Sequence, residues 1–222
     1  MTKLVIFDLD GTLLDTLDDL GAAVNHAMRQ RGFPQHTREE YRMMVGHGAR
    51  NLMHQALPKE HRDNEALVDE VLADFRSYYN AHIDIYTKPF PGIPQLLENL
   101  HQKGIKPAVA SNKFQEGTEH LIKEFFPDIP FVAILGNRPN HPLKPNPEVV
   151  GEILRKAGID KENTIMVGDS DTDMQTATNG GIRGIAVNWG YRNMREFANK
   201  QSLTVVDTAE ELLEILLPGS TT

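Results

Sequence analysis

The sequence contains no cysteine, only one tryptophan, and no apolar run that approaches the roughly 20 residues of a membrane-spanning helix. Without cysteine, disulfides, zinc–thiolate sites and thiol nucleophiles are excluded. The N-terminal residues show no basic segment followed by a signal-length apolar stretch. From these absences we expect a soluble, cytoplasmic protein without a membrane partner.

Positive charge is also scarce, because 23 Lys and Arg residues stand against 31 Asp and Glu residues, for a net charge of −8 over 222 residues. No basic stretch is available to contact phosphates, which argues against a general nucleic-acid binder. Hydrophobic residues make up 40% of the chain and charged residues 24%, a balance that can bury a sizeable core. This length fits one large domain, or a core with a substantial insertion.

Short apolar runs alternate along the chain with longer segments of helical periodicity, several of which stop at a glycine. Near-continuous apolar strands that alternate with helices predict an α/β fold, with a parallel sheet covered by helices on both faces. The predicted strands are 4–7, 107–110, 131–135, 164–167, 184–187 and 203–206. The glycines predicted to end helices are Gly104, Gly158 and Gly180.

Residues 16–86 break this alternation, because they carry helical patterns and no clear strand. Leu17, Leu20 and Val24, for example, fall on one face of a helix. A segment with three prolines and a glycine, residues 86–94, then returns the chain to the sheet. We therefore expect a core of residues 1–15 and 87–222 and an inserted all-helical unit of residues 16–86, which is either a plain helical bundle or a mobile lid.

The first predicted strand ends in two like charges, Asp8 and Asp10 of "VIFDLDGTLLDT". A buried carboxylate is strongly unfavourable unless something compensates its charge. Ligands of an open parallel sheet bind beyond the carboxyl ends of its strands. Three more strands place reactive residue types at or after that edge, namely Ser111, Asn112 and Lys113, then Lys144, then Asp169, Asp171 and Asp173. Three carboxylate sites, a hydroxyl and a lysine are expected to converge on one crevice, whereas Asp171 is expected to face solvent or to cap a helix.

A hard divalent cation would compensate these acids, and magnesium prefers oxygen ligands. We expect Asp8 and Asp169 to hold Mg²⁺, whereas zinc is disfavoured because cysteine is absent and the histidines lack ligand spacing near these loops. Phosphoryl transfer would use an attacking aspartate, while the metal and Lys144 cancel negative charge. Ser111 and loop N–H groups would bind phosphate oxygens, and Asp10, two positions along an extended strand from Asp8, could act as acid and base.

The motifs "DLDGT", "SNK", the lysine of "LKPNP" and "GDSDTD" stand in the order found in the haloacid dehalogenase (HAD) superfamily of phosphohydrolases, and together they resemble its four motifs. The resemblance covers the core and implies a Rossmann-like fold and Mg²⁺. It implies that Asp8 is the nucleophile and that Asp10 is the acid and base, with its backbone carbonyl on the metal. It also implies that Ser111 and Lys144 bind phosphate and that Asp169 is a metal ligand. Asp173 is implied either to be a supporting metal ligand or to hold the metal ligands in place.

Smaller features extend the resemblance. Gly11 and Thr12 are similar to the phosphatases of the superfamily rather than to its sugar phosphomutases, and we expect both beside the phosphate. The helical insertion resembles the C1 cap of the superfamily. Two side chains keep open assignments, Asn112 as turn former or phosphate ligand and Lys113 as surface or site lysine. The acids expected to cap a helix start are Asp15, Asp18 and Asp19.

The segment "VGHGARNLMHQAL" places Gly46, His47 and Gly48 before a helix that carries Arg50. A glycine turn at a helix N-terminus can bind an anion through its N–H groups, and Arg50 could grip a carboxylate. The alternative is a plain turn between helices with an exposed arginine. This segment and "NWGYR", residues 188–192, resemble the phosphoglycolate phosphatases of the superfamily, which implies that Gly46, His47 and Arg50 contact the carboxylate of glycolate.

We therefore expect a Mg²⁺-dependent phosphatase for a small phosphorylated metabolite, 2-phosphoglycolate first, acting as a monomer or homodimer. Pyrophosphate, sugar phosphates and nucleoside monophosphates are the rival substrates. A β-phosphoglucomutase-like phosphomutase and a receiver-type phosphoacceptor domain are the rival activities. A receiver domain would normally be shorter and would lack a helical insertion of this size.

Overall fold

The computed structural model describes residues 1–198 and 203–218 as a parallel sheet surrounded by helices. The strands are β1 (Leu4–Phe7), β2 (Leu14–Asp15), β3 (Lys88–Pro89), β4 (Lys106–Phe114), β5 (Ile134–Asn137), β6 (Thr164–Gly168), β7 (Arg183–Val187) and β8 (Thr204–Val206). The helices are α1 (Leu17–Gln30), α2 (Arg38–Met44), α3 (Ala49–Ala56), α4 (Glu65–Ala81), α5 (Ile93–Gln102), α6 (Gln115–Phe125), α7 (Glu148–Ala157), α8 (Asp171–Gly180), α9 (Met194–Ala198) and α10 (Ala209–Leu216). No helix in these described ranges combines the length and the apolar character needed to cross a membrane.

The main sheet has the strand order β5-β4-β1-β6-β7-β8, and every neighbouring pair is parallel. Counted along the chain, its six strands therefore follow the order 3-2-1-4-5-6 of a Rossmann-like sheet. The order reverses between β1 and β6, and ligands bind at such a switch point beyond the carboxyl ends of the strands. The predicted α/β Rossmann-like fold is confirmed, and the loops after β1 and β6 flank its crevice.

Strand β1 is covered on both faces, as a central parallel strand must be. Val5 and Phe7 pack into the larger apolar cluster, whereas Leu4 and Ile6 point to the opposite face and pack into a second one. All four side chains are fully buried. This two-sided burial explains why the strand reads as a continuous apolar run in the sequence.

Most predicted element ends agree with the structure, and three need correction. Strand β4 is longer than predicted and runs to Phe114, so the residues of "SNK" belong to the strand itself. Strand β5 covers Ile134–Asn137 rather than 131–135. Helix α7 ends at Gly158 as predicted, but α8 includes Gly180 and is capped by Gly181, whose φ of 68° is in the left-handed region.

Helices α1 to α4 fill most of the segment predicted to be helical, and the described residues of 16–86 include no strand. Strands β2 and β3 pair antiparallel just outside this segment, at its two ends. The exact division into a core of residues 1–15 and 87–222 and an insertion of residues 16–86 stays a prediction.

Asp19 was expected to cap a helix start and to interact with the helix dipole. It lies in the first turn of α1, where its charge interacts favourably with the dipole, but its carboxylate does not cap the helix. Its buried carboxylate accepts hydrogen bonds from the backbone N–H groups of Tyr86 at 3.0 Å and Thr87 at 2.8 Å. It also accepts one from the Thr87 hydroxyl at 2.7 Å. Asp19 therefore joins the first turn of α1 to the returning chain, because the two ends of the helical segment lie side by side.

Candidate active site

Asp8 follows β1 directly, and its backbone N–H donates to the carbonyl of Val167 at 2.9 Å, which continues the β1–β6 ladder. The Lys144 ammonium donates to Asp8 Oδ1 at 2.8 Å and to Asp173 Oδ1 at 2.7 Å. All three side chains are buried. The structure thus brings together residues from the first, third and fourth sequence motifs, with one cation between two acids.

The loop after β6 is held by a reciprocal cap at the start of α8. The Ser170 hydroxyl accepts from the Asp173 N–H and donates to Asp173 Oδ2 at 2.6 Å, while the Ser170 N–H donates to the same oxygen at 3.1 Å. Asp169 Oδ2 accepts the backbone N–H of Tyr191 at 2.6 Å. Each carboxylate is therefore fixed by local hydrogen bonds before any ligand binds.

Asp8, Asp169 and Asp173 each offer one carboxylate oxygen, and these atoms lie within 4.8 Å of one another. Burial, followed by the charges of Asp173 and Asp8, raises the pKa of Asp169 well above its usual range. Burial raises the pKa of Asp8 to about 7, although Lys144 lowers it. Within the described part of the chain, no lysine or arginine forms an ion pair with Asp169. The cluster therefore fits a divalent cation, which would supply the missing positive charge to oxygen ligands.

Lys144 remains charged in this cluster. Burial alone lowers the pKa of its ammonium, but the carboxylates of Asp173 and Asp8 outweigh that effect and raise the pKa above its ordinary value. A permanently protonated lysine beside Asp8 is well placed to attract an anionic ligand.

Asp10 also lies in the crevice, but it is paired with a different lysine. The Lys113 ammonium donates to Asp10 Oδ1 at 3.0 Å and to Oδ2 at 3.2 Å, and the Thr16 hydroxyl donates to Oδ1 at 2.7 Å. The Lys113 side chain is only 2% exposed, so its interpretation as a surface lysine is wrong. The longer β4 explains this, because the extended strand carries Lys113 into the crevice.

Ser111 and Asn112 are buried on the same strand, and they differ in what their side chains do. Ser111 Oγ accepts the Lys113 N–H at 3.2 Å, and the residue lines the crevice. The Asn112 amide donates to the carbonyls of Gly46 and Lys144 at 3.1 Å each, and its oxygen accepts the Lys144 N–H at 2.8 Å. The Asn112 side chain therefore holds the Lys144 loop from within β4, so Asn112 is not a turn former. A contact of its side chain with phosphate stays a prediction.

Gly11 and Thr12 form the tight turn that follows Asp10. Gly11 has a φ of 86°, and a Cβ there would lie 2.3 Å from Asp169 Oδ2. Its N–H donates to the carbonyl of Leu14 at 2.9 Å, and the Thr12 N–H donates to that of Leu9 at 3.2 Å. Both N–H groups are therefore used inside the turn. Glycine is needed at position 11 because Asp169 packs against the backbone there and leaves no room for a side chain. A phosphate contact from these two groups stays a prediction.

The predicted cap contacts are only partly brought to the site. Gly46 lines the crevice, whereas His47 is exposed and lies outside it. Arg50 is also exposed, and its guanidinium pairs with Glu65 and, at 3.1 Å, with Asp69. The structure therefore does not bring Arg50 to the cavity, because its helix turns the side chain toward the acids of α4.

The strand ends and the helical segment enclose a cavity of about 50 Å³. The site acids and lysines form one side of it, and apolar side chains from the helical segment form much of the other. These apolar residues are Leu20, Val45, Leu52 and Phe75.

Several residues that line this cavity were not predicted as site residues, among them Arg192, Tyr191 and Tyr79. Arg192 donates to the carbonyls of Arg42 at 2.6 Å, Met43 at 3.0 Å and Val45 at 2.8 Å, and so connects the loop after β7 to the end of α2. For Tyr191 and Arg192, only the resemblance of "NWGYR" indicated a place near the site. Tyr79 has the sequence pattern of an ordinary core position in an amphipathic helix.

Comparison with known proteins agrees with this geometry. A family model described as haloacid dehalogenase-like hydrolase matches residues 5–187. A phosphoglycolate phosphatase of Mesorhizobium japonicum is 33% identical over 218 residues, which cover 96% of each chain. One of Vibrio vulnificus is 32% identical over 222 residues, covering 97% of this chain and 96% of the other. A crystal structure of a protein from Lactobacillus delbrueckii subsp. bulgaricus superposes with a TM-score of 0.90 at 37% identity, covering 98% of this chain and 100% of the other.

A Rossmann-like sheet with an acidic crevice at its switch point fits phosphoryl-transfer chemistry, and the family match and the relatives show that the class is a phosphoric monoester hydrolase. The chain belongs to the haloacid dehalogenase-like hydrolase family, and the expectation of an enzyme of this family is confirmed.

Proposed function

We propose that this protein is a phosphatase that hydrolyses 2-phosphoglycolate to glycolate and phosphate, with Mg²⁺ as its metal. The observation that carries the proposal is Asp8, held by Lys144 beside Asp169 and Asp173 at the switch point of the sheet. The names of the relatives from Mesorhizobium and Vibrio support the choice of substrate.

The metal would be held by carboxylate oxygens of Asp8 and Asp169, with Asp173 behind or beside them, and it would supply positive charge that offsets the repulsion between Asp8 and a phosphate. Asp8 attacks the phosphorus, the bond to the leaving oxygen breaks, and Asp10 gives that oxygen a proton. A water then attacks the phosphorus of the aspartyl-phosphate, Asp10 takes the proton of the water, and Asp8 and phosphate are released. Lys144 and Ser111 hold the phosphate oxygens during both steps.

The cavity supports a small leaving group. The cavity is small, about 50 Å³, and apolar side chains border it, which favours a short leaving group over a hexose or a nucleoside. Side chains from the helical segment close the cavity, so this segment acts as the cap that selects the substrate. The same argument disfavours the sugar phosphates and nucleoside monophosphates among the rival substrates.

A screen of phosphate compounds with Mg²⁺ tests this function. The panel contains 2-phosphoglycolate, pyrophosphate, hexose phosphates, nucleoside monophosphates and para-nitrophenyl phosphate, and phosphate release is measured over many turnovers. We expect 2-phosphoglycolate to give the highest kcat/KM. Release of only one phosphate per protein would instead indicate a receiver-type domain, and isomerised hexose phosphate would indicate a phosphomutase.

The nucleophile is tested by Asp8→Asn, which keeps the shape of the side chain. We expect kcat to fall by on the order of 10³-fold or more, because the amide cannot attack phosphorus. Asp128→Asn, at an exposed aspartate, is the matched control and should keep full activity. Mass spectrometry of acid-quenched enzyme should find a phosphoryl group on Asp8 in the unmodified chain, and persistent activity of Asp8→Asn would refute the assignment.

A further inference from the structure

Tyr79 presents a buried polar group that the proposed chemistry leaves unused. It lies near the end of α4, its side chain is 0% exposed, and it lines the same cavity as Asp8 and Asp10. Among the described residues, its hydroxyl has no hydrogen-bond partner. Buried polar groups are nearly always hydrogen-bonded, so a hydroxyl left without a partner beside a ligand cavity needs an explanation.

The ring of Tyr79 is held firmly in place. It stacks on Phe75 at a centroid distance of 5.3 Å and meets Phe114 edge to face at 6.0 Å. The Lys113 ammonium lies over its face, 4.7 Å from the centroid. Because contacts on several sides fix the ring, its hydroxyl is a preorganised group rather than one that swings away to find solvent.

The contrast with Tyr191 shows that this site can satisfy a tyrosine hydroxyl. The Tyr191 hydroxyl accepts the Thr16 N–H at 2.8 Å and lies 3.1 Å from the Thr16 hydroxyl. Both tyrosines line the cavity and both are buried. Only the one contributed by the helical segment is left with a free hydroxyl.

We propose that the Tyr79 hydroxyl donates a hydrogen bond to an oxygen of the substrate's leaving group, a carboxylate oxygen in 2-phosphoglycolate, and that Tyr79 thereby determines specificity. This inference rests on the proposed function and deepens it. It also replaces Arg50, which points away from the cavity, as the residue that contacts the carboxylate.

The local charges agree with a donor role. Burial, followed by the negative charge of Asp10, raises the pKa of Tyr79 well above its usual range, so the hydroxyl keeps its proton at any working pH. A protonated hydroxyl can donate to an anionic oxygen, and the Lys113 ammonium over the ring favours an acceptor with negative charge. Apolar neighbours such as Leu52 and Phe75 offer no competing partner on that side of the cavity.

The test is Tyr79→Phe, which removes only the hydroxyl. The measurement is the ratio of kcat/KM for 2-phosphoglycolate to kcat/KM for phenyl phosphate, whose leaving group carries no second oxygen. We expect this ratio to fall by about tenfold or more, because a donor to a charged oxygen is lost for one substrate only. Tyr78→Phe is the matched control on the same helix, since Tyr78 stacks between His26 and His82 outside the cavity, and it should leave the ratio unchanged.

Thermal unfolding separates a ligand contact from a structural one. We expect Tm of Tyr79→Phe to stay equal or to rise, because no protein hydrogen bond is lost, whereas Tm of Tyr191→Phe should fall with the loss of its bonds to Thr16. An unchanged kcat/KM ratio in Tyr79→Phe overturns the proposal, whatever happens to Tm.

Failure of the proposed function gives a different result. If the unmodified enzyme does not hydrolyse 2-phosphoglycolate, the proposed substrate is wrong, and the ratio is measured with the panel substrate that has the highest kcat/KM and a second oxygen in its leaving group. A tenfold fall of that ratio supports Tyr79 as the specificity residue for the other substrate. If no such substrate is turned over, or if the ratio does not change, the Tyr79 proposal is refuted as well.

Discussion

The negative charges of the site are balanced unequally, because Lys144 pairs with Asp8 and Asp173 but not with Asp169. Lys144 is bonded to both Asp8 and Asp173, which lowers the repulsion between these two buried acids. Among the described residues, Asp169 has only the N–H of Tyr191 as a donor. Burial, followed by the charges of Asp173 and Asp8, raises its pKa, so its negative charge is left without a balancing cation in this part of the chain. An arrangement of this kind is unfavourable on its own and becomes favourable when a divalent cation joins it.

Among single-residue changes, Arg50→Ala should have little effect on catalysis. Its guanidinium is exposed and pairs with Glu65 and Asp69 on the outside of the helical segment. We expect kcat/KM for 2-phosphoglycolate to stay within about twofold of the unmodified value, with a loss of stability of about 0.2–1 kcal/mol, as for other exposed ion pairs. Steady-state kinetics and urea unfolding provide the two measurements.

Arg76→Ala, at an exposed arginine of the neighbouring helix α4, serves as the control for that change. A tenfold loss of preference for 2-phosphoglycolate over phenyl phosphate in Arg50→Ala, but not in Arg76→Ala, would mean that the guanidinium enters the cavity when substrate binds.

Among the elements, the loop after β7 and helix α2 depend on each other. Three carbonyls at and beyond the end of α2 have no partner in the next turn of helix, and Arg192 donates to all of them. The same loop supplies the Tyr191 N–H that holds Asp169. One short loop therefore positions both a carboxylate of the site and a wall of the cavity.

We expect Arg192→Gln to loosen this connection. The variant should lose about 1–2 kcal/mol of stability, since hydrogen bonds from a charged donor to three carbonyls are lost. Its KM for 2-phosphoglycolate should rise more than its kcat falls, because Val45 and Gly46, which follow α2, border the cavity while Asp8 and Lys144 are untouched. Hydrogen exchange of the α2 amides, residues 38–44, should become faster.

Arg195→Gln is the control for this change, because Arg195 pairs with Asp207 on the far side of the same loop. Equal exchange rates of α2 in the two variants would contradict the proposed connection between the loop and the helix.

For the whole molecule, we expect the free energy of unfolding to depend on both pH and metal, because the site contains buried acids. In the metal-free protein, burial raises the pKa of Asp8 to about 7 and raises that of Asp169, whereas the unfolded chain releases both protons near pH 4. The folded state therefore binds more protons than the unfolded state between these values. The stability that comes from these groups is present at low pH and is lost as the pH rises through about 7.

Magnesium should reverse this trend, because it binds the charged forms of the same acids. We expect the rise in Tm caused by millimolar MgCl₂ to increase steadily from about pH 5 to about pH 8, since less proton release is needed at higher pH. Differential scanning fluorimetry with and without metal measures the effect.

Asp8→Asn should give a smaller rise in Tm with a flatter pH dependence, while Asp128→Asn should behave like the unmodified chain. If the metal-induced shift is the same at every pH, the acids of the crevice are not the binding site.

How precisely each strand or helix could be predicted from the sequence depended on how local its sequence pattern is. Strand β1 and the acids that follow it were predicted to the residue, because four apolar residues followed by charges give a local pattern. The full length of β4 was not predicted, since Ser111, Asn112 and Lys113 are polar, and the strand continues through them because it pairs with β5 as far as Phe114 and Asn137. Helical periodicity predicted the helices α1 to α4, but it does not determine which residues each helix face contacts.

The sequence by itself determined the alternation of strands and helices, the helical segment, and the set of acids and lysines at the carboxyl ends of the strands. These follow from local periodicity and from which residue types can end a buried strand. Only the tertiary structure decided how the charges pair, Lys144 with Asp8 and Lys113 with Asp10, and that Arg50 faces outward while Tyr79 and Arg192 border the cavity. The physical reason is that pairing and burial depend on distances between segments far apart in the chain, which no local pattern encodes.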